Sequence, residues 1–181
     1  MVDYDRTFTS TFSVEEVYTE PDGIPEYEFL APGAATAAPV ISIEVTLEDS
    51  SRWRGLIYGG AHDANLLANT PNPNVLLAIG NGIAYTIPVQ DPGGYVTLSL
   101  RPVRSIMTID PELLVLVGYT RLLGIGPDGS ERWVTQRLVA DGFYDVSFLN
   151  RTILIRGWDR ELDRDIEATI DIATGNVLTR G

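Results

Sequence analysis

"LLVLVGYTRLLGIGPDGSERW", residues 113–133, is the stretch whose reading decides the fold. An unbroken apolar run, Leu113 to Val117, stops at Gly118, and a second run from Leu122 to Ile125 follows the short link Tyr119-Thr120-Arg121. Pro127, Asp128 and Gly129 come next, and Trp133 closes the stretch. Proline presets one turn angle and glycine supplies positive φ, so the segment reads as short strands joined by tight turns.

The unit recurs. "VLLAIG" (75–80) precedes "IAYTIPV" (83–89), and "TILIRG" (152–157) precedes "EATIDI" (167–172). The glycine ends, Gly80, Gly118 and Gly157, lie 38 and 39 residues apart. The later two units are also preceded by strand-like runs, "RSIMTID" (104–110) and "FYDVSFLN" (143–150). A period near 40 residues with three or four strands per unit predicts propeller-type blades. The glycine-ended runs are almost continuously apolar, which predicts strands covered on both faces.

Other runs alternate, as half-covered strands do. "VISIEVTLED" (40–49) puts Ile41, Ile43, Val45 and Leu47 on one face, and "YVTLSL" (95–100) does the same with Val96, Leu98 and Leu100. "FYDVSF" (143–148) and "EATIDI" share the pattern. Helical spacing is confined to "SVEEVYTE" (13–20) and "DANLLANT" (63–70), about two turns each at most. The chain is therefore read as all-β: an antiparallel meander forming a small or incomplete β-propeller-like repeat, with a β-sandwich or barrel as the alternative. "FLAPGAATAAPV" (29–40) reads as a linker or extended crossover. It sets residues 1–38, an N-terminal hairpin or arm plus linker, apart from a main all-β domain at 39–181, within one domain overall.

Residues 75–181 resemble the blades of quinoprotein-type propellers. In those blades an apolar strand ends in glycine, a hairpin follows, and an "Ile-Asp-x-x-Thr-Gly"-like turn leads to a tryptophan. The matching residues are Gly118, Ile125, Gly129 and Trp133 in one unit, and Gly157, Ile170, Asp171, Thr174 and Gly175 in the next. The resemblance implies a blade repeat and no function. The first unit lacks the turn motif, the last lacks the tryptophan, and 181 residues hold four such units at most, so no quinone site is carried over.

Composition removes several chemistries. Hydrophobic residues at 44% and charged ones at 21% fit a soluble globular chain without the long apolar run a membrane span needs. The first twenty residues lack both a basic start and an apolar core, which predicts a cytoplasmic location. With no cysteine, thiolate catalysis, disulfides and cysteine zinc sites are out; with no lysine, so are Schiff bases and the phosphate-binding lysine of a nucleotide loop. A single histidine excludes multi-histidine metal sites. The net charge of −12 disfavours a phosphate backbone, so no nucleic-acid partner is expected, and favours encounter with a basic protein.

Three constellations remain. His62 stands beside Asp63 in "GGAHDAN" (59–65), a pairing of base and orienting carboxylate, although neighbours on an extended chain point apart. In "GWDRELDRDIE" (157–167), Asp159, Glu161, Asp163 and Asp165 would share one face of a continuous strand with Glu167, a calcium-like oxygen cluster; calcium is the one cofactor considered. Solvated acids compensated by Arg160 and Arg164 are the plainer reading. Finally, tryptophan recurs beside arginine, and Trp53, Arg54, Arg132, Trp133 and Trp158 are candidate partner-binding anchors. No catalytic set is nominated. The expectation is a non-enzymatic protein-binding module with an acidic face, of the kind that neutralises a toxin or effector as an immunity protein does. The alternatives are a carbohydrate-binding or carbohydrate-acting β domain and a structural component of a larger assembly.

Overall fold

The computed structural model describes residues 2–18, 23–35, 38–62 and 64–181, with Asp110 by its backbone alone. Among these, seventeen strands form four sheets and one short 3-10 turn spans Pro92–Gly94. No helix of the described residues is long and apolar enough to cross a membrane.

The first sheet runs β2 (Phe12–Glu16), β4 (Ile41–Leu47), β5 (Arg52–Ile57), β3 (Glu26–Phe29). The second runs β1 (Asp3–Asp5), β6 (Leu66–Asn69), β7 (Val75–Gly80), β8 (Ile83–Pro88), β9 (Val96–Thr97). The third and fourth are pure meanders. One holds β10 (Val103–Asp110), β11 (Leu113–Gly118), β12 (Leu122–Ile125) and β13 (Glu131–Val134). The other holds β14 (Phe143–Leu149), β15 (Thr152–Asp159), β16 (Arg164–Asp171) and β17 (Val177–Arg180). Each glycine-ended run is the second strand of its meander: β7, β11 and β15. The N-terminal residues supply edges to two sheets, with β1 parallel to β6, β2 antiparallel to β4 and β3 parallel to β5.

Side-chain alternation stacks the sheets in chain order. Ile41, Ile43, Val45 and Phe29 of the first sheet meet Leu76, Ala78, Tyr85 and Ile87 of the second. On their other face β7 and β8 turn Leu77, Ile79 and Ala84 toward Leu114, Leu116, Leu123 and Ile125 of the third. The third sheet then presents Leu113, Val115, Val117 and Leu122 to Ile153, Ile155, Ile166 and Ile170 of the fourth. The described residues form no fourth core joining the last sheet to the first. The result is an all-β, incomplete propeller-like array, with no closed barrel.

Position in the stack explains the two periodicities. β7 and β11 have sheets on both sides and are buried at every residue. β4 and β16, in the end sheets, are buried only at alternate residues. "TILIRG" departs from the expectation of a doubly covered strand: Ile153 and Ile155 face the core, while Leu154 and Arg156 face outward, because among the described residues no sheet packs on that face. Both short helical candidates are strands as well. Phe12–Glu16 pairs with β4, burying Phe12 and Val14, and Leu66–Asn69 lies between β1 and β7, so ladder pairing overrides local spacing. Thr19, Glu20 and Asp63 of those two segments lie outside the described residues, as do Thr36 and Ala37 of the 29–40 crossover.

Candidate functional site

The tryptophan–arginine pairs separate into structural and exposed members. Trp53, in the first sheet, and Trp133, in the third, are buried and do equivalent work. The Trp53 indole N–H donates to the Val89 carbonyl at 2.9 Å, and that of Trp133 donates to the Ile172 carbonyl at 2.9 Å. Each acceptor follows the third strand of the next sheet's meander, β8 or β16, so each indole ties one sheet to its neighbour. Trp53 also meets Tyr27 and Phe29 edge to face, at centroid distances of 5.8 and 6.0 Å. Glycine makes room for Trp133. A Cβ on Gly124, its cross-strand partner, would lie 2.5 Å from the indole, and one on Gly175 of the next sheet's turn would lie 2.8 Å away.

Gly175 closes the "IDxxTG"-like turn of the blade resemblance. There Asp171 Oδ1 accepts the Ala173 and Thr174 N–H groups and the Thr174 hydroxyl, at 3.1, 2.9 and 2.8 Å. These bonds, the Thr174 hydroxyl first, hold the Asp171 carboxyl below its ordinary pKa.

Arg54 and Arg132 part company too. Arg54 is buried on the outer face of the first sheet, between Glu44 and Glu26 in the cross-strand register, and its guanidinium lies 3.3 Å from Glu26. Arg132 is exposed on β13. Trp158, 41% exposed, is the tryptophan that reaches solvent.

Around Trp158 the outer face of the fourth sheet carries a group of side chains that sequence reasoning did not assemble. A bulge opposite Arg156 places Tyr144 and Asp145 between the inward-facing Phe143 and Val146. Tyr144, 61% exposed, donates its hydroxyl to Asp165 at 3.2 Å, and Asp165 is the cross-strand partner of Trp158. Partial desolvation, reinforced by the Asp165 charge, raises the Tyr144 pKa. Arg156 bridges Glu167 at 2.9 Å and Asp145 at 4.0 Å, and the Glu167 bond raises the arginine further. Alternation in "FYDVSF" pointed outward at Tyr144; the bulge that adds Asp145 beside it left no sequence signal.

The four acids of the calcium-like run do not converge. Residues 160–163 form the turn between β15 and β16, so the acids do not share a continuous strand. Asp159 is buried and its Oδ1 accepts the Glu161 and Leu162 N–H groups at 3.0 and 3.3 Å, while Asp165 faces out toward Tyr144. Glu161 and Asp163 are exposed in the turn. Among the described residues no three acids or histidines gather around a common point. His62 is exposed, with its ring 5.8 Å from that of Tyr119, and its sequence neighbour Asp63 lies outside the described residues.

No protein-family model matches this sequence, and no curated protein matches it. Among solved structures, the chain is similar to the computationally designed protein Ika8, at 12% identity and a TM-score of 0.44 over 82% of this chain and 48% of that one. It is similar to BamB from Moraxella catarrhalis at 10% identity and a TM-score of 0.37, covering 77% and 55%. The N-terminal domain of Nup159 gives 9% and 0.43, covering 99% and 53%. The chain thus spans about half the length of these structures.

Proposed function

We propose that this chain is a protein-binding module whose contact surface is the outer face and exposed edge of the fourth sheet, and whose partner is basic. One observation carries the reading. Of the twelve large apolar side chains exposed among the described residues, seven belong to this sheet and its turns: Tyr144, Phe148, Leu149, Trp158, Leu162, Val177 and Leu178. Concentrated apolar exposure beside polar groups is what an interface requires, and aromatic anchors dominate interface energetics. Asp145, Asp165 and Glu167 lie on the same face against one arginine, Arg156, so its local charge agrees with the net −12. Acidic surfaces of this kind speed encounter with a basic partner in a salt-dependent way. Neutralisation of a basic toxin or effector is the specific form of this reading that charge and size favour.

The test places a photo-crosslinking benzoylphenylalanine at position 158 and, in a second protein, at position 46 on the outer face of the first sheet. In the producing cells the first should give a discrete adduct that 1 M salt suppresses, and the second should not. Equal adducts at both positions, or none at 158, overturn the assignment.

A glycan-binding reading draws on one feature, the two aromatic residues Tyr144 and Trp158 flanking the Asp165 carboxylate. Rings beside a hydrogen-bonding carboxylate can stack on a sugar and hold its hydroxyls. A glycan array probed with the native protein and with Trp158→Ala separates it from the first reading.

A further inference from the structure

A second surface has the opposite character, at one end of the third sheet. Four connections converge there: the β5–β6 link with His62, the β9–β10 link with Arg101, the β11–β12 turn with Tyr119 and Arg121, and the segment after β13 with Arg137. They are fastened together by backbone bonds, Val103 N–H to the Gly82 carbonyl at 2.8 Å, Leu138 N–H to Thr120 at 2.8 Å and Phe143 N–H to Tyr119 at 2.9 Å. Arg104, at the start of β10, completes the group. Two adjoining clefts result, of about 440 and 430 Å³, with Tyr119 forming the wall between them. Arg101, Arg121 and Arg137 line one, and Arg104 and His62 line the other.

These arginines differ in their partners from the chain's ion-paired arginines. Arg52, Arg54, Arg156 and Arg180 each lie within 4.0 Å of a carboxylate. Among the described residues, Arg101, Arg104, Arg121 and Arg137 have no such partner; three are held by neutral groups instead. Arg137 donates to the Val139 and Ala140 carbonyls at 3.1 and 2.8 Å, and Arg101 donates to the Pro32 carbonyl at 3.0 Å. Arg104 lies over the Tyr119 ring at 4.7 Å and donates to the Phe143 carbonyl at 3.3 Å. Among the described residues, Glu131 and Asp145 border the surface. Glu131 is engaged by the Ser99 backbone N–H and hydroxyl, and Asp145 faces Arg104 across a neighbouring groove while pairing with Arg156. In a chain of net charge −12, four unneutralised guanidinium groups at one end are a local reversal of sign.

We infer that these clefts bind a phosphoryl group. Its near-double negative charge and three acceptor oxygens suit several forked guanidinium donors at once, with more charge and one more oxygen than a carboxylate offers. Because carbonyls and the Tyr119 ring already hold three of the arginines, little side-chain freedom is lost on binding. The exposed Tyr119 and Val134 provide an apolar wall for whatever carries the group. The groove between Arg104 and Asp145 borders the Trp158 face, but among the described residues neither cleft is lined by a side chain of that face, so this inference stands or falls independently of the partner-binding reading.

Titration of the 15N-labelled full chain with inorganic phosphate, at constant ionic strength against sodium chloride, tests it. Saturable shifts should be confined to residues 61, 62 and 64, 99–104, 119–121 and 134–138. The double variant Arg104→Gln with Arg137→Gln should weaken binding at least tenfold. Arg121→Gln, exposed and without a structural bond, should weaken it several-fold with an unaltered melting curve, and Trp158→Ala should leave it unchanged. Free phosphoserine and phosphotyrosine should compete for the same shifts; tighter binding than inorganic phosphate identifies a phosphorylated side chain as the source, and equal binding the free ion. Shifts that chloride reproduces, or an affinity that both arginine variants retain, overturn the inference.

Discussion

At the scale of single residues, Trp133 shows how a sheet stack is locked and what limits it. Its ring fills the space that Gly124 leaves on its own sheet and Gly175 leaves on the next. Gly175 also has φ +71°, where a side chain is strained regardless of its neighbours. Gly175→Ala should therefore cost about 2–4 kcal/mol, combining a left-handed backbone with an overpacked contact. Gly33, at φ +82° with open space around a built Cβ, carries only the first of these costs, so Gly33→Ala should lose about 1–2 kcal/mol. Urea unfolding of the two variants measures the difference, and equal losses would remove the Trp133 contact from the account. The tryptophans themselves should divide in the same experiment. Trp53→Ala empties a buried site and should cost about 3–5 kcal/mol, whereas Trp158→Ala should stay within about 1 kcal/mol. The sequence displayed all three tryptophans within two residues of an arginine; which of them is buried depends on the presence of a next sheet, and that is not a property of the local sequence.

At the scale of elements, turns are closed by short polar side chains on their own backbone. Asp49 and Asp128 each accept the N–H and hydroxyl of a serine two residues on, and Asp171 does the same with Thr174 and Ala173. All three carboxyls are held below their ordinary pKa, with the side-chain hydroxyl as the largest cause. A depressed folded pKa means that the stabilisation is complete above the unfolded carboxylate value, near 3.8, and is lost as pH falls through the lower folded value. For Asp171, Thr174→Val should raise the pKa toward the ordinary range, so the turn beneath Trp133 loosens at a higher pH than in the native protein. A 13C-detected carboxyl titration reads this directly, and an unmoved Asp171 would contradict it. Strand character was legible because a side chain's face is written in its alternation: Ile41, Ile43 and Val45 could only point one way. "TILIRG" misled because Leu154 stands at an outward position, so an end strand imitated a covered one. The parallel edges β1 and β3 left no trace, since three or four residues, half or more of them acidic, as in "DYD" and "EYEF", acquire their register from the strand they join.

At the scale of the whole molecule, the order first–second–third–fourth sheet produces an array with two covered sheets inside and two half-covered ones at its ends. Both outer faces carry charged groups: Glu44, Arg52 and Arg54 at one end, and at the other Arg156, Glu167 and Asp165 beside the exposed Tyr144 and Trp158. Stacked repeats depend on such terminal faces to remain monodisperse, and exposed ion pairs there add little stability of their own. The consequence is a gradient of local stability across the stack. Opening β7 or β11 exposes two apolar interfaces at once, so their amides should exchange with solvent only through global unfolding. β17 is exposed at all four residues, pairs on one side only and covers no core, so its amides should exchange through local opening that costs far less. Native-state hydrogen exchange under increasing denaturant distinguishes the two classes: amides at 75–80 and 113–118 should show the full denaturant dependence of global unfolding, and those at 177–180 almost none. Protection of β17 equal to that of β11 would mean that the fourth sheet's edge is covered, and the face assigned to a partner would already be occupied.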